Sequence, residues 1–377
     1  MKRILTILLT AAMLLPCVHA APAKLQVNAA SVLLMEKETG TVLYEHNSHE
    51  KLEPASVTKV MTMLLIMEAL AQGRITKEEP VTVSAYAAGM GGSQVFLEEG
   101  AQMSVHELLK CIAVSSANDA AVAMAEHLAG SEAAFVENMN TRANQLGMAD
   151  THFSNCTGLP IAEHYTSAHD MALMSRQLIL HHPDIQTYTT IWMDSIRGGT
   201  FGLSNTNRLI RFYNGSTGLK TGFTDAALYC LSATAERNGM ELIATVMKSP
   251  TSDDRFQAAK TLLDYGFANY TLTTVHPDQA LPPVDVLLGK TAQVQPRLAR
   301  ECRLLLSRDN AGQVTTELSL AADVAAPVEA GQQLGHMTVR VGDEVRDTVP
   351  IVAAEEVPRL SLTGIFSQLL RRLLMAQ

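Results

Sequence analysis

Residues 31–45 carry two apolar runs, Val32-Leu33-Leu34-Met35 and Val42-Leu43-Tyr44, on either side of a Glu38-Thr39-Gly40 corner. That layout predicts a β-hairpin. Pro54-Ala55-Ser56 then opens a stretch in which Met61, Met63, Leu64, Leu65, Ile66 and Met67 leave almost no polar side. A helix apolar all round belongs inside a domain, so the pattern predicts a buried central helix. Apolar positions recur at helical spacing over 105–129, 131–146 and 167–180. Strand patterns return at Ala227–Ala235 and Met240–Met247, with a helix expected near 252–266. Strands, a block of helices and strands again indicate an α+β layer arrangement.

Beyond Pro277, Pro282 and Pro283 the pattern changes. Val284–Leu288, Cys302–Ser307, Val314–Leu318, Met337–Val341 and Val345–Val349 are short alternating segments separated by Gly, Asp, Asn and Pro. They predict a small all-β sandwich domain over 277–356. In 357–377, Leu362, Ile365, Phe366, Leu369, Leu370, Leu373 and Leu374 repeat at helical spacing, with Arg371 and Arg372 opposite. This predicts an amphipathic helix lying in the headgroup region of a membrane; a terminal helix packed on the protein's own core is the alternative. At the other end, Lys2 and Arg3 precede an apolar run from Ile4 to Leu15, and Val18-His19-Ala20 ends in a small residue. Residues 1–20 therefore read as a signal peptide, too short in their apolar part to span a bilayer. The intervening domain is expected over 21–276. The expected location is extracytoplasmic, peripheral on the outer face of the cytoplasmic membrane.

Composition narrows the classes further. A chain of 377 residues, 47% apolar and 18% charged, can build a substantial core. Loss of Lys2 and Arg3 would take the formal charge from −9 to −11, which argues against a nucleic-acid partner. Cys111, Cys156, Cys230 and Cys302 lie far apart without a Cys-x-x-Cys pair, so no metal site is expected. Cys111 and Cys230 sit in apolar stretches and read as small buried hydrophobes. His164, His181 and His182 have no matching acidic or cysteine partners at metal spacing and read as surface or packing histidines.

The candidate chemistry lies in three short motifs: Ser56-Val57-Thr58-Lys59, Ser116-Ala117-Asn118 and Lys220-Thr221-Gly222. Each alone is weak, and their order and spacing give them weight. A serine hydroxyl needs a base to take its proton as it attacks. Ser56 and Lys59, three apart at a helix start, share one face. Lys59 can act as a base only when neutral, which apolar walls and a second cation such as Lys220 would favour. Ser116 can relay a proton to a leaving group, and the Asn118 amide can hold a substrate carbonyl and Lys59. Gly222 lets a substrate backbone lie against a strand edge, while Lys220 and Thr221 can bind a terminal carboxylate. Arg255 is a further carboxylate candidate, although by residue type a surface salt bridge is the plainer reading. Gly218-Leu219-Lys220-Thr221 lacks the adjacent Gly-Lys and preceding apolar strand of a phosphate loop.

Together the three motifs match the acyl-serine signature of penicillin-binding proteins and serine β-lactamases. Pro54–Thr62, Gly91-Gly92-Ser93, Asn118-Asp119-Ala120, His164–Ala168 ahead of Asp170-Met171-Ala172, and Lys220–Thr224 resemble the D-alanyl-D-alanine carboxypeptidase family of low-molecular-mass penicillin-binding proteins. So does Arg255 ahead of Leu262–Phe267, and so do the expected β domain and tail. The resemblance implies a β-lactamase/transpeptidase-like domain. It implies Ser56, Lys59, Ser116 and Asn118 as catalytic residues, with Lys220, Thr221, Gly222, Phe223 and Arg255 binding substrate. The substrate would be a peptidoglycan stem pentapeptide, β-lactams would be inhibitors, and no metal or organic cofactor would be needed. The backbone N–H groups of Ser56 and Phe223 would form the oxyanion hole. A D,D-endopeptidase, a β-lactamase or a non-catalytic wall-binding protein are the alternatives. Against the β-lactamase, no Glu-x-x-Leu-Asn string is present; against the wall-binding protein, the six motif residues are intact.

Overall fold

The computed structural model describes residues 25–364 together with 366 and 374. The expected leader and most of the expected terminal helix lie outside the described residues. Strands β1 (Ser31–Glu36) and β2 (Val42–His46) form the predicted hairpin. The Glu36 carboxylate accepts the Glu38 and Thr39 N–H groups, which fixes its corner. A single 3₁₀ turn, Ala55–Thr58, leads into helix α1 (Lys59–Ala71). Next come β3 (Pro80–Thr82), α2 (Ala85–Ala88) and β4 (Gln102–Ser104), β3 and β4 forming a small hairpin absent from the sequence reading. The helical block is α3 (Val105–Ser115), α4 (Asn118–Ala129), α5 (Glu132–Gln145), α6 (Ala168–His181) and the short α7 (Gln186–Thr189). A second hairpin, β5 (Met193–Ile196) with β6 (Phe201–Ser204), precedes α8 (Leu209–Phe212). Strands β7 (Ser216–Thr224), β8 (Leu228–Arg237) and β9 (Met240–Ser249) and helix α9 (Ser252–Asn269) complete the domain.

The central sheet is antiparallel, in the order β2-β1-β9-β8-β7, so β7 is an edge strand. Its two faces feed two separate cores. Leu33, Met35, Ile243 and Met247 join the helical block around α1, whereas Val32, Leu34, Leu242, Ala244 and Val246 pack under α9. Burial on both faces is why these strands read as continuous apolar runs instead of alternating ones. In α1, Val60, Met61, Met63, Leu64, Ile66 and Met67 are all buried, each worth about 1.5–3 kcal/mol of transfer free energy. That helix forms the rigid floor of the site described below.

Past α9 the chain is all strand. It runs β10 (Tyr270–Val275), β11 (Val284–Leu287), β12 (Gln293–Val294), β13 (Pro296–Leu298), β14 (Cys302–Ser307), β15 (Val314–Leu320), β16 (Asp323–Ala325), β17 (Gln333–Val341) and β18 (Glu344–Ala353). A four-stranded sheet β13-β18-β17-β15 and a three-stranded sheet β12-β11-β16 enclose two small cores of their own. Strand β10, which precedes the proline cluster in sequence, pairs along its whole length with β14. All four cysteines of the described residues are free and buried. Among the described residues no helix is long and apolar enough to cross a membrane.

Candidate active site

The Ala55–Thr58 turn is held in a conformation that a free chain would avoid. Ala55 has φ of 48°, a left-handed value rare for a residue with a side chain. Its carbonyl accepts the Thr58 hydroxyl at 2.8 Å, and Thr58 Oγ1 lies 2.8 Å from His164 Nε2. His164 Nδ1 accepts the Ser154 N–H at 3.0 Å, so the ring proton sits on Nε2 and is donated to Thr58. Burial pushes this imidazole down to about 4, which keeps it neutral. His164 is thus a packing histidine, edge-on to Phe153, but also the anchor of the Ser56 turn. The sequence reading missed that second part because the partner lies 106 residues away. Two glycines close the clamp. A Cβ on Gly158 would sit 1.9 Å from the Ala55 carbonyl oxygen, and one on Gly222 3.0 Å from the Ser56 nitrogen.

Lys59, the first residue of α1, is fully buried. Its Nζ has three neighbours: Ser56 Oγ at 3.0 Å, Asn118 Oδ1 at 2.6 Å and the Thr157 carbonyl oxygen at 2.7 Å. Asn118 Nδ2 donates to the Gly91 carbonyl at 2.7 Å, which fixes the amide's orientation. Two of the three neighbours can therefore only accept, and Ser56 alone can donate. A neutral amine fits this set: two N–H groups to the carbonyls, the lone pair toward the serine hydroxyl. Burial lowers Lys59 from 10.5 to about 7. Burial is the first cause of that lowering. The Lys59–Lys220 repulsion depresses Lys220, which burial, Lys59 and Arg255 together hold well below the usual lysine range.

Ser116 and Asn118 flank the break between α3 and α4. Ser116 caps α3 with φ of 62°, and the chain turns extended at Ala117 before α4 starts at Asn118. The Ser116 hydroxyl is buried and has no hydrogen-bond partner among the described residues. Asp119 accepts the Val95, Leu97 and Ala120 N–H groups, tying the neighbouring loop to the start of α4.

Strand β7 forms the opposite wall. Lys220 Nζ donates to the Thr221 carbonyl at 2.9 Å, and Thr221 Oγ1 lies 2.6 Å from Thr206 Oγ1. Phe223 is 48% exposed and stacks on Tyr229 at 4.5 Å. Arg255 is not in the surface salt bridge that its residue type suggested. It is buried on α9, donates to the carbonyls of Gly222 at 3.0 Å and Cys230 at 3.3 Å, and pairs with no carboxylate among the described residues. Burial pushes it down to about 10. Lys220 and Arg255 stand on this wall with no carboxylate paired to either among the described residues, an arrangement suited to an anionic ligand. His181 and His182 line a cleft with Met67 and Leu70, at the far end of α1 from Lys59.

Comparison with known proteins identifies the family. The family model described as D-alanyl-D-alanine carboxypeptidase matches residues 18–251, and that of the penicillin-binding protein 5 C-terminal domain matches 270–359. The chain is 41% identical to the D-alanyl-D-alanine carboxypeptidase DacF of Bacillus subtilis over 372 residues, covering 95% of each chain. Penicillin-binding protein 5 from Haemophilus influenzae superposes with a TM-score of 0.73 at 29% identity, covering 89% of this chain and 98% of its own. Penicillin-binding protein D2 of Listeria monocytogenes, solved in a cefotaxime-bound form, superposes at 0.57 with 32% identity, covering 64% of this chain and 98% of its own. The α+β domain with its carboxy-terminal β domain is the penicillin-binding protein fold. The chain belongs to the D-alanyl-D-alanine carboxypeptidase family of serine peptidases.

Proposed function

We propose that Ser56 is the nucleophile of a D,D-carboxypeptidase that removes the terminal D-alanine from peptidoglycan stem pentapeptides. The observation that carries this reading is the Lys59 environment, in which Ser56 is the one neighbour able to donate a proton. Ser56 Oγ attacks the carbonyl carbon of the penultimate D-alanine while its proton passes to Lys59 Nζ. The N–H groups of Ser56 and Phe223 stabilise the oxyanion. The C–N bond breaks, Ser116 delivers a proton to the departing amine and is reprotonated from the Lys59 ammonium, which becomes neutral again, and free D-alanine leaves. Water then attacks the acyl ester, its proton returning through Lys59, and the shortened peptide is released. Lys220, Thr221 and Arg255 bind the terminal carboxylate, and Gly222 lets the substrate backbone lie along β7. A β-lactam, carrying the same carboxylate, acylates the same serine.

Residues 1–20 serve as a leader, 21–276 as the catalytic domain, 277–356 as a β-domain spacer and 357–377 as a peripheral membrane anchor. The anchor reading is supported by exposed Leu362, Phe366 and Leu374. Removing 358–377 should release active protein from membranes; continued sedimentation with them would defeat it. The activity itself is tested by D-alanine release from a peptide ending in D-Ala-D-Ala, with Ser56→Ala alongside. Release by the wild type alone is expected. Intact penicillin labelling without release would point to cross-link cleavage.

A further inference from the structure

Of the two acceptors that direct the Lys59 amine, Asn118 stands on α4, whereas the Thr157 carbonyl belongs to an irregular turn over 155–158. A turn carbonyl keeps its direction only if the peptide units around it are held. The Gly158 N–H, on the same peptide unit as that carbonyl, donates to Asn155 Oδ1 at 2.6 Å, which closes the turn on itself. Two side chains from helices then hold the turn in place. Thr62 Oγ1 of α1 donates to the Cys156 carbonyl at 2.7 Å, and Glu132 Oε1 of α5 accepts the Cys156 N–H at 2.9 Å.

Glu132 is the first residue of α5, where the helix dipole alone favours a carboxylate. Its bonds, however, leave the helix. The second oxygen, Oε2, accepts the Tyr86 hydroxyl of α2 at 2.7 Å. This bond is the first cause that pushes the Tyr86 phenol up to about 12. Tyr86 lies just upstream of Gly91, whose carbonyl orients the Asn118 amide. One carboxylate, both oxygens engaged, therefore joins the segments that carry or orient the two acceptors of Lys59.

We propose that Glu132 is a positioning residue for the base: it holds Cys156 so that the Thr157 carbonyl keeps the Lys59 amine aimed at Ser56. The inference rests on the Ser56–Lys59 reading above and extends it to a residue outside the three motifs. Glu132 acts here by hydrogen bonding and not by charge, since it reaches Lys59 only through the turn.

The test is the second-order rate of fluorescent-penicillin labelling across pH, with melting temperatures, for the full chain and for Glu132→Ala, Glu132→Gln and Ser131→Ala. Glu132→Ala should lower the plateau by about tenfold or more, because the amine loses its direction. Its midpoint should fall by up to about one pH unit, since an ammonium loses more than an amine when an acceptor is withdrawn. The other titratable groups facing Lys59, namely Cys156, Asp119 and Lys220, are the same in every variant. Glu132→Gln keeps an acceptor for Cys156 and a donor for Tyr86, so it should stay within about threefold of wild type, its midpoint unmoved. Ser131→Ala removes the cap bond to the Ala134 N–H at 3.1 Å and should lower the melting temperature alone. Glu132 is only partly buried, so Glu132→Ala is expected to fold, and Ser131→Ala reports what a weakened α5 costs by itself. A Glu132→Ala profile like that of wild type, a Glu132→Gln profile like that of Glu132→Ala, or an equal rate loss in Ser131→Ala would each overturn the positioning role and leave Ser56 and Lys59 standing. A wild type that never labels would overturn the Ser56–Lys59 reading, and this inference with it.

Discussion

The proposed base should reveal itself as a midpoint near neutrality in the acylation rate. Lys59 is held at about 7 by burial, against 10.5 for an unperturbed side chain. At pH 7, roughly half of the molecules then carry the amine, compared with about one in three thousand for an unshifted lysine. Burial alone therefore enlarges the reactive fraction by about 1,500-fold. Part of this is given back, because a weaker base drives proton transfer less strongly. The sign follows from the role: a base must be unprotonated, so acylation rises with pH through the Lys59 midpoint. The assay is the second-order rate of fluorescent-penicillin labelling between about pH 5 and pH 9, where a slope near tenfold per pH unit should flatten above about 7. Lys59→Arg, which holds its proton throughout that range, should lose at least about a thousandfold. A flat profile, a midpoint near the ordinary lysine value, or an arginine variant within about tenfold of wild type would refute the assignment.

Three further outcomes are expected. Gly222→Ala would bring a Cβ to 2.7 Å from the Pro54 carbonyl oxygen and 3.0 Å from the Ser56 nitrogen. It should cost about 1–3 kcal/mol of stability by overpacking, and slow acylation by at least about tenfold through displacement of the turn; unchanged melting and labelling would sink the clamp. His164 titrates at about 4 in the fold against an ordinary 6.5, so its contribution, about 3 kcal/mol, is complete above about 6.5 and lost as pH falls toward about 4. Denaturant midpoints at about pH 7 and pH 4 should separate widely for wild type and less for His164→Asn, and equal separations would count against the buried neutral ring. Finally, a carboxylate arriving beside Lys220 should favour its ammonium form, so β-lactam binding to Ser56→Ala should take up protons. Calorimetry in buffers of different ionisation enthalpy reads this directly, and heats independent of the buffer would exclude it.

What could be read from the chain was local, or repeated at a fixed period. Ser56 and Lys59 meet because they lie three positions apart, and the helix that follows announces itself by being apolar all round. The strands Leu228–Arg237 and Met240–Ser249 were visible as apolar runs because both of their faces are buried. The hairpins β3/β4 and β5/β6 were not, since strands of three or four residues carry too few positions to show a period. The pairing of β10 with β14 crosses the proline cluster, and composition says nothing about pairing across a boundary. The anchoring role of His164 escapes a sequence reading that makes it a surface or packing histidine for the same reason: it depends on Thr58, remote in sequence. The burial of Arg255 without an acidic partner is likewise a property of α9 packing on β8 and β9, absent from the motif around it.

The two buried lysines pose one electrostatic problem, and their surroundings answer it in opposite ways. Asn118 Oδ1 and the Thr157 carbonyl take two Lys59 hydrogens and leave the third direction to a hydroxyl, so neutrality loses no hydrogen bond there. Lys220 has a single carbonyl acceptor and two cations for neighbours, so its ammonium is poorly served until an anion arrives. A ligand carboxylate would supply what Lys220 and Arg255 lack, and the proton that Lys220 takes up would offset the pull of that carboxylate on a proton at Lys59. Carboxylate recognition and base activation are then coupled: an anion that restores the Lys220 ammonium leaves Lys59 unprotonated, and one bound without that proton would not. Lys220→Ala should on this argument bind a carboxylate ligand weakly and also acylate slowly after binding. Loss of affinity alone, with the acylation step intact, would separate the two sites and break the coupling.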